Sequence, residues 1–434
     1  MTLNHFDLRR RALLGLAAGS ALSAGPAWAQ LRVEVTGIGA TQLPIAVPDF
    51  FGDAAAPQKI GAIVRADLLR SGRFKAIDTA PSSQDVTARP NLPQVRQSGA
   101  DSLVAGSVAR LADGRFDVRF RLWDAVQGTE LAAQSFAVQA NDLRLAAHRM
   151  ADVIYEKLTG EKGVFSTRLA YVTQAGPRHS LWVADADGEN AQSALVSPEP
   201  IISPAWSPTG GQLAYVSFES RKAVIYVHEV ASGRRRLLAN FKGSNSAPAW
   251  SPDGQSLALT LSREGSSQIY AMSAAGGEPR RLTQSASIDT EAAYAPDGKS
   301  IYFVSDRGGG PQIYRMAASG ESGGGAERIT FTGSYNISPA ISPDARWLAY
   351  IARQSGMFKL MVMELGTPNV NSITETSADE KPGFSPNSRL IVYATVLQGR
   401  QALMTTTLDG KVKTRLAGQA GDIREPDWGP FQSV

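Results

Sequence analysis

A short motif recurs six times in the C-terminal part of the chain, and its spacing limits the possible folds more than any other feature. The motif joins an aromatic or apolar residue, a proline turn and an apolar strand, as in PAWSPDGQSLAL at 248–259. Its shared proline recurs at intervals of 44, 44, 47, 43 and 44 residues, at Pro208, Pro252, Pro296, Pro343, Pro386 and Pro430. A repeat of this length, with four short strands in each unit, predicts a β-propeller.

Each motif predicts an inner strand that turns sharply into the next strand. At Pro252, Asp253 and Gly254, proline fixes φ, the aspartate side chain bonds the following backbone, and glycine takes the left-handed conformation. The residue two positions before the turn is predicted to wedge between neighbouring sheets. The aromatic residues predicted to do this are Trp206, Trp250, Tyr294 and Phe384.

The two ends of the array predict the number of blades. The array opens with RLAYV at 168–172, which has no motif strand before it, and closes with PDWGPF at 426–431, which has a motif strand without a continuation. If the C-terminal strand completes the first blade, one hydrogen-bonded ladder closes the ring and removes the exposed edge. We therefore predict an all-β six-bladed propeller over residues 168–434, closed by the C-terminal strand.

The residues between 30 and 160 do not repeat, and they predict a small α+β domain. A helical spacing of apolar residues covers 56–72, and a second helix is predicted from Asn141 or Asp142 to Gly160. The first strand of this domain is predicted at 32–37. Residues 161–167 are the predicted linker to the propeller.

The N-terminus has the pattern of an export signal. Three arginines at positions 9–11 precede an apolar stretch that is too short to span a bilayer, and Ala-Trp-Ala at 27–29 follows it. This pattern predicts cleavage between Ala29 and Gln30. The arginines fit either an ordinary secretory signal or a twin-arginine signal, so both export routes stay open. No later stretch is long and apolar enough to span a bilayer, which predicts a soluble mature protein.

Charge and cysteine content exclude several classes of protein. The formal net charge is +4, of which the leader supplies about half, and this balance argues against a nucleic-acid-binding protein. The chain has no cysteine, which excludes disulfides and thiolate metal sites.

The catalytic and metal-binding signals in the sequence are weak. Ser322 matches a nucleophile motif, but it lies in a Gly/Ser-rich turn without a histidine downstream. Lys299 lacks the glycine that a phosphate-binding loop requires, because Ala293 stands at that position. The run 185–188 is predicted to be a hairpin turn rather than a calcium loop, and His179 and His228 are interpreted as isolated surface residues. We expect no enzyme activity, no cofactor and no metal.

A binding surface is the remaining prediction, at the mouth of the channel where each inner strand begins. The residues expected there are Asn245, Ser246, Asp289, Thr290, Glu291, Asn336, Asp379, Glu380, Lys381, Arg424 and Glu425. Acidic residues outnumber basic ones in this set. Because they converge on one opening, they favour recognition of a partner.

The order of these features resembles the TolB family, the periplasmic propeller proteins of the Tol–Pal system. The resemblance rests on the export signal, the small α+β domain, FSTRLAYV at 165–172, and the repeats of PAWSPDG with LAYVS and QIY. It covers essentially the whole mature chain. The resemblance implies a role in outer-membrane integrity and in envelope constriction during cell division.

The resemblance also implies two partners. The peptidoglycan-associated lipoprotein Pal is expected at the propeller mouth, where the family's contact positions correspond to Ser244, Ala247 and Thr290. Position 244 is often histidine in the family but is serine in this chain. The inner-membrane protein TolA is expected to bind the mature N-terminal segment, residues 30–42, which starts with Gln30, Leu31, Arg32, Val33, Glu34 and Val35. Pal occupancy is expected to alter how freely this segment is displayed.

Two other functions stay open on the sequence. One is a propeller related to peptidases but without a catalytic domain, and the other is a propeller that binds cell-wall glycan. Capture of Pal and TolA, peptide hydrolysis, or glycan binding alone would distinguish the three.

Overall fold

The computed structural model describes residues 42–82, 86–418 and 421–432, together with the backbone of residues 32–35. The predicted export signal, the cleavage point at Ala29 and Gln30, and Leu31 lie outside these residues. In the described ranges no helix is long and apolar enough to cross a bilayer.

The N-terminal part of the chain contains one five-stranded sheet and three helices. After β1 (Arg32–Val35), its elements in chain order are β2 (Leu43–Ala46), α1 (Ile60–Arg70), β3 (Phe74–Ala76), α2 (Leu92–Gln97), β4 (Ser102–Arg110), β5 (Phe116–Asp124), β6 (Thr129–Val138) and α3 (Leu143–Thr159). The sheet order is β3-β2-β4-β5-β6, with the β2 pairs parallel and the later pairs antiparallel. We call residues 42–160 the α/β region.

Both long helices pack their apolar faces on this sheet. Val64 and Leu68 of α1 and Ile154 of α3 are fully buried against strand residues such as Val104 and Phe120. Helix α1 is shorter than the predicted 56–72, because the Asp53 carboxylate accepts bonds from the backbone N–H groups of residues 60 and 61 and fixes its start. Helix α3 ends at Gly160, which is left-handed with φ 76°, as the sequence predicted.

The C-terminal part forms six antiparallel sheets, and the predicted six-bladed propeller is confirmed. Blade 1 contains β7 (Arg168–Ala175), β8 (Arg178–Asp185) and β9 (Gln192–Ser197). Blade 2 contains β10 (Ile201–Trp206), β11 (Gln212–Ser217), β12 (Val224–Glu229) and β13 (Arg235–Ala239). Blade 3 contains β14 (Asn245–Trp250), β15 (Ser256–Leu261), β16 (Gln268–Ser273) and β17 (Arg280–Arg281).

The other three blades follow the same order. Blade 4 contains β18 (Asp289–Tyr294), β19 (Ser300–Ser305), β20 (Gln312–Ala317) and β21 (Glu327–Arg328). Blade 5 contains β22 (Asn336–Ile341), β23 (Trp347–Gln354), β24 (Met357–Glu364) and β25 (Val370–Ser372). Blade 6 contains β26 (Glu380–Phe384), β27 (Leu390–Leu397), β28 (Arg400–Thr407) and β29 (Val412–Arg415).

The ring closes as predicted, through the C-terminal strand β30 (Asp422–Trp428). This strand pairs antiparallel with β7 and supplies the inner strand of blade 1, with Trp428 opposite Leu169. The six inner strands β10, β14, β18, β22, β26 and β30 contact one another in a closed circle. They therefore line the channel.

Aromatic side chains before the turns wedge between blades. Trp206 and Phe384 are buried, while Trp250 and Tyr294 are half-buried. The Trp250 indole donates a hydrogen bond of 3.1 Å to the carbonyl oxygen of residue 205 in the preceding blade. Trp428 is buried at the equivalent position of the seam, and its indole donates to the hydroxyl of Thr167.

Strand β1 lies in a different sheet from the one the sequence predicted. It does not join the sheet of the α/β region but pairs antiparallel with β29, as the fifth strand of blade 6, with Arg32 opposite Arg415 and Val35 opposite Val412. The sequence could not reveal this pairing because its two strands are separated by almost the whole chain.

The propeller has two different faces. The loops that lead into the inner strands open on one face, which we call the mouth face, and the proline turns lie on the other, the turn face. The α/β region contacts the turn face. Arg70 bonds the carbonyl oxygen of Ala186, and Glu161 forms an ion pair with Arg389 beside the proline turn of blade 6.

Candidate partner-binding surface at the propeller mouth

Each inner strand carries a bulge at the same position, and the six bulges form a ring in the channel. The first bulge residue is left-handed in every blade, with φ between 44° and 54°. We call these residues the channel ring: Ser203, Ala247, Glu291, Ser338, Lys381 and Glu425. Each interrupts the pairing of its inner strand with the next strand.

The sequence at the bulges suits this geometry. In five of the six blades the residue after the ring position is proline, which has no N–H group that would need a partner in the ladder. A bulge also turns its side chains away from the regular strand direction. The ring residues Ser203, Ala247, Glu291, Ser338, Lys381 and Glu425 accordingly line one cavity, together with Glu380.

Two ring glutamates tie neighbouring blades together. The Glu291 carboxylate accepts hydrogen bonds from the backbone N–H of Ser338 at 2.7 Å and from its hydroxyl at 2.9 Å. The Glu425 carboxylate accepts from the backbone N–H of Ser203 at 2.5 Å in the same way. Both bonds join a ring position to the equivalent position of the next blade, so part of the negative charge at the channel has a structural role.

The channel raises the pKa of its buried acids. Burial, and then the neighbouring Glu425, raises the pKa of Glu380. Burial raises the pKa of Asp427 to about 6, although its carboxylate accepts a bond of 2.7 Å from the backbone N–H of Trp206. The ring cation Lys381 lowers the pKa of both acids and partly offsets these shifts.

Four residues predicted at the mouth are buried, which does not fit direct contact with a partner. Asn245, Asp289 and Asn336 are the first residues of their inner strands, and Asp379 directly precedes β26. All four are at most 2% exposed. Their side chains hold the loops that lead into the strands. Asn245 donates to three backbone carbonyls, Asp289 pairs with Arg307, Asn336 bonds Gln312, and Asp379 accepts from three threonine hydroxyls.

The accessible part of the mouth is a smaller set, which we call the mouth rim: Ser244, Thr290 and Arg424. Ser244 and Arg424 are exposed, and Thr290 is half-buried with its hydroxyl 3.3 Å from that of Thr260. Two apolar side chains stand on loops of the same face, Ile288 at 52% and Phe331 at 74% exposure. Exposed apolar groups beside polar ones are typical of protein-binding surfaces.

The sequence predicted four of the six channel-ring residues and missed Ser203 and Ser338. The predicted set contains no residue of β10, and in β22 it contains only Asn336, two positions before Ser338. The repeat itself could have identified all six ring residues, because each stands five positions before the repeated proline. Ile288 and Phe331 were missed because exposure of an apolar residue cannot be read from a strand pattern.

Other sequence expectations have mixed outcomes. Ser322 is exposed and lies in a short 3-10 helix, Glu321–Gly323, rather than in the predicted turn. Residues 185–188 form the predicted turn after β8. The surface position expected for His228 is wrong, because it is 2% exposed against Tyr215, and burial lowers its pKa. His179 is half-buried.

A second cluster of titratable groups lies between the α/β region and blade 1. Asp67, His148 and Asp187 are all buried there, and their donor atoms are close enough together to hold a metal ion. Two arginines already bind these carboxylates, Arg70 with Asp67 at 2.9 Å and Arg144 with Asp187 at 2.5 Å. The donor set therefore does not suit a divalent cation, since guanidinium groups occupy the cation positions.

Models of two domain families match the chain. One is described as the TolB amino-terminal domain and matches residues 31–131, and the other, described as the TolB beta propeller domain, matches residues 155–432. Together they cover most of the residues that follow the predicted export signal.

Similar proteins carry the same description. A protein of Albidiferax ferrireducens named Tol-Pal system protein TolB is 69% identical, over 98% of this chain and 99% of its own length. One of Polaromonas naphthalenivorans with the same name is 67% identical, over 98% of each chain. The crystal structure of TolB from Acinetobacter baumannii matches with a TM-score of 0.83 and 38% identity, over 93% of this chain and 100% of that one.

Proposed function

The chain belongs to the TolB family of the Tol–Pal system, and we propose that it is a non-enzymatic adaptor that links two envelope proteins. One partner is the lipoprotein Pal, bound at the propeller mouth. The other is TolA, which binds the mature N-terminal segment. The adaptor works in the periplasm, where it maintains outer-membrane integrity and supports envelope constriction in cell division.

The channel mouth is the observation that carries the Pal half of this proposal. The α/β region contacts the turn face, so the mouth face presents its loops on the opposite side of the propeller. The mouth rim, with the exposed side chains of Ile288 and Phe331 beside it, combines polar and apolar contact groups. Such a mixture around a concave opening suits a folded protein partner better than a small substrate.

The pairing of β1 with β29 supports the TolA half. Only four residue pairs hold β1 at the outer edge of blade 6. A short edge strand can exchange one sheet edge for another, because the main-chain hydrogen bonds are similar in both places. We infer that TolA binds this segment after it leaves β29. Any change of Pal affinity caused by TolA must then equal the change of TolA affinity caused by Pal.

Replacing Thr290 tests the mouth. We expect Thr290→Arg to weaken Pal binding at least tenfold, about 1.4 kcal/mol, because a long charged side chain would enter the centre of the contact. Its melting temperature should change little, since the Thr290 side chain is half-buried and its hydroxyl lies at hydrogen-bonding distance from that of Thr260. Calorimetry with the purified soluble domain of Pal measures the affinity.

The matched control adds the same charge to the other end of the propeller. Gln255 is exposed beside a proline turn, and Gln255→Arg should leave Pal binding unchanged. Glu291 is less suitable, because its two bonds to Ser338 couple it to stability. Equal affinities of the wild type and Thr290→Arg would move the Pal site elsewhere. Binding to purified glycan without Pal would instead favour the cell-wall alternative.

Locking β1 tests the N-terminal site. The chain has no native cysteine, so Val33→Cys with Thr414→Cys introduces one pair at partner positions of the β1–β29 ladder. We expect the oxidised double variant to lose TolA binding and to regain it after reduction, as measured by calorimetry with and without saturating Pal.

Two controls accompany the locked variant. A chain without residues 30–42 should lose TolA binding in every redox state while it retains Pal binding. Thr414→Cys alone, which changes β29 and not the bound segment, should bind TolA normally. Full TolA binding by the oxidised double variant, with the disulfide verified by mass spectrometry, would contradict release of β1 as a requirement.

A further inference from the structure

A buried ionic cluster joins the α/β region to blade 1, and the proposed adaptor function does not use it. We call it the latch cluster: Asp67 and Arg70 of α1, Arg144 and His148 of α3, and Asp185 and Asp187 at the end of β8 and in the turn that follows. The side chains of Asp67, Arg70 and His148 are at most 2% exposed, and that of Asp187 is 8% exposed. The pairs of Asp67 with Arg70 and with His148 are therefore shielded from water, while Arg144 and Asp185 are each 16% exposed.

The contacts of the cluster cross the boundary between the two parts of the chain. Arg70 donates to the carbonyl oxygen of Ala186 at 2.5 Å while it pairs with Asp67 at 2.9 Å. Arg144 lies 2.5 Å from the Asp187 carboxylate and 3.5 Å from that of Asp185. The helices α1 and α3 are thus attached to one turn of the propeller through charged groups.

His148 is at the centre of the cluster, and its two ring nitrogens face different carboxylates. Nδ1 lies 2.6 Å from Asp67 Oδ2, which is hydrogen-bonding distance and fixes a proton on Nδ1 as donor. Nε2 has no partner at hydrogen-bonding distance, but it faces the Oδ2 atoms of Asp185 at 3.8 Å and Asp187 at 3.7 Å. A lone pair on Nε2 would be repelled by both carboxylates, whereas an N–H group would be attracted.

The charge balance leads to the same protonation state. The cluster contains three carboxylates and two guanidinium groups, so a neutral imidazole leaves one negative charge without compensation. Protonated His148 supplies the missing positive charge. Uncompensated buried charge is costly, so the protonated form stabilises the cluster most.

We propose that His148 is a proton-dependent latch that holds helices α1 and α3 on blade 1, and that loss of its proton loosens this attachment. The latch also reaches the strand that holds β1, because the carbonyl oxygen of Asp187 accepts from the backbone N–H of Ala417, two residues after β29 ends. Loosening of this turn should therefore also weaken the backbone bond between Asp187 and Ala417, next to the edge strand of blade 6.

The direction of the pH effect follows from the groups that face His148. Burial lowers the pKa of His148, but Asp67, Asp187 and Asp185 together outweigh it and raise the pKa above its ordinary value of 6.5. When the pKa of a histidine is higher in the folded state than in the unfolded state, its protonation stabilises the folded state. This stabilisation is complete at a pH below the unfolded-state pKa, and it is lost as the pH rises through the folded-state pKa. Nearby Glu189 and Asp185 both have a raised pKa, chiefly through burial. Asp187 has a lowered pKa because His148, Arg144 and Arg70 outweigh its burial.

Amide hydrogen exchange of the processed chain between about pH 5.5 and pH 9 tests the latch, with rates corrected for intrinsic pH dependence. We expect protection at residues 66–71 and 184–189 to fall as the pH rises, about tenfold for each pKa unit that separates folded from unfolded His148. In His148→Gln the same amides should be less protected at low pH than in the wild type, and their protection should not decrease further as the pH rises. His228 is a buried histidine in blade 2, and it serves as the control. In His228→Gln the protection of these amides should decrease with rising pH as it does in the wild type.

A second variant keeps the test decisive if His148→Gln fails to fold. Asp185→Asn removes one carboxylate, so a neutral imidazole then balances the cluster. We expect Asp185→Asn to fold and to show a weaker pH dependence of amide protection than the wild type. We also expect a lower pKa of His148, as measured from the NMR signal of its Cε1–H. The same pH dependence in wild type and both variants would overturn the proposal. Protection at high pH that needs Zn²⁺ and disappears with a chelator would overturn it in favour of a metal site.

Discussion

A chain that ends at Gly421 is expected to lose cooperative unfolding and to aggregate, because the missing residues 422–434 contain β30. Without this strand β7 becomes an unpaired edge of blade 1, and an exposed apolar strand edge is a template for association. The buried side chain of Trp428 is lost at the same time. Loss of one buried tryptophan costs about 3–5 kcal/mol, which is a large part of the ordinary stability of a protein.

The same deletion also removes two hydrogen bonds that join blade 1 to blade 2 near the channel. The carboxylates of Glu425 and Asp427 accept bonds from the backbone N–H groups of Ser203 and Trp206, which would be left without partners. Size-exclusion chromatography and near-ultraviolet circular dichroism during heating measure the outcome. A chain that lacks only residues 433–434 retains β30 and serves as the control. Cooperative melting of the long truncation near the wild-type temperature would show that the ring does not need this strand.

Trp206→Ala is expected to lower the free energy of unfolding by about 3–5 kcal/mol. The indole is 7% exposed and packs with buried residues of blades 1 and 2, among them Val172, Leu181 and Tyr215. It also lies against the backbone of Gly429, where a β-carbon would come within 3.3 Å of the ring. A small residue at 206 would leave a cavity that three rigid strands cannot fill.

The comparison residue for Trp206 is Trp250, which has the same place in the next blade. Its ring is half-buried, and one hydrogen bond joins it to the preceding blade. We therefore expect Trp250→Ala to cost less than Trp206→Ala. Urea denaturation followed by circular dichroism gives both values. A cost below about 1 kcal/mol for Trp206→Ala would mean that the indole is not a wedge between blades.

The channel mouth shows which parts of a candidate binding site can be predicted from a sequence repeat. The repeat identified the ends of the inner strands correctly, so Glu291, Glu380 and Lys381 line the channel cavity as a group. It could not tell that Asn245 and Asp289, one or two residues earlier, turn their side chains into the loops. Adjacent strand residues point to opposite sides, and a bulge shifts that alternation by an amount that the pattern does not record.

Features that depend on local chemistry and regular spacing could be predicted from the sequence. The proline turns, the wedge positions, six blades, closure by the C-terminal strand and the end of α3 at Gly160 all follow from short patterns. Each unit repeats the same pattern, so the argument is supported several times over.

The contacts between residues that are distant in the chain could be recognised only in the folded structure. The pairing of Arg32–Val35 with β29 and the latch cluster of Asp67, His148 and Asp187 join segments that lie far apart in the chain. Single polar residues at wide and irregular spacing carry no periodic signal. Their role arises when packing brings them together and excludes water, because burial makes one uncompensated charge, and hence one proton on His148, important to stability.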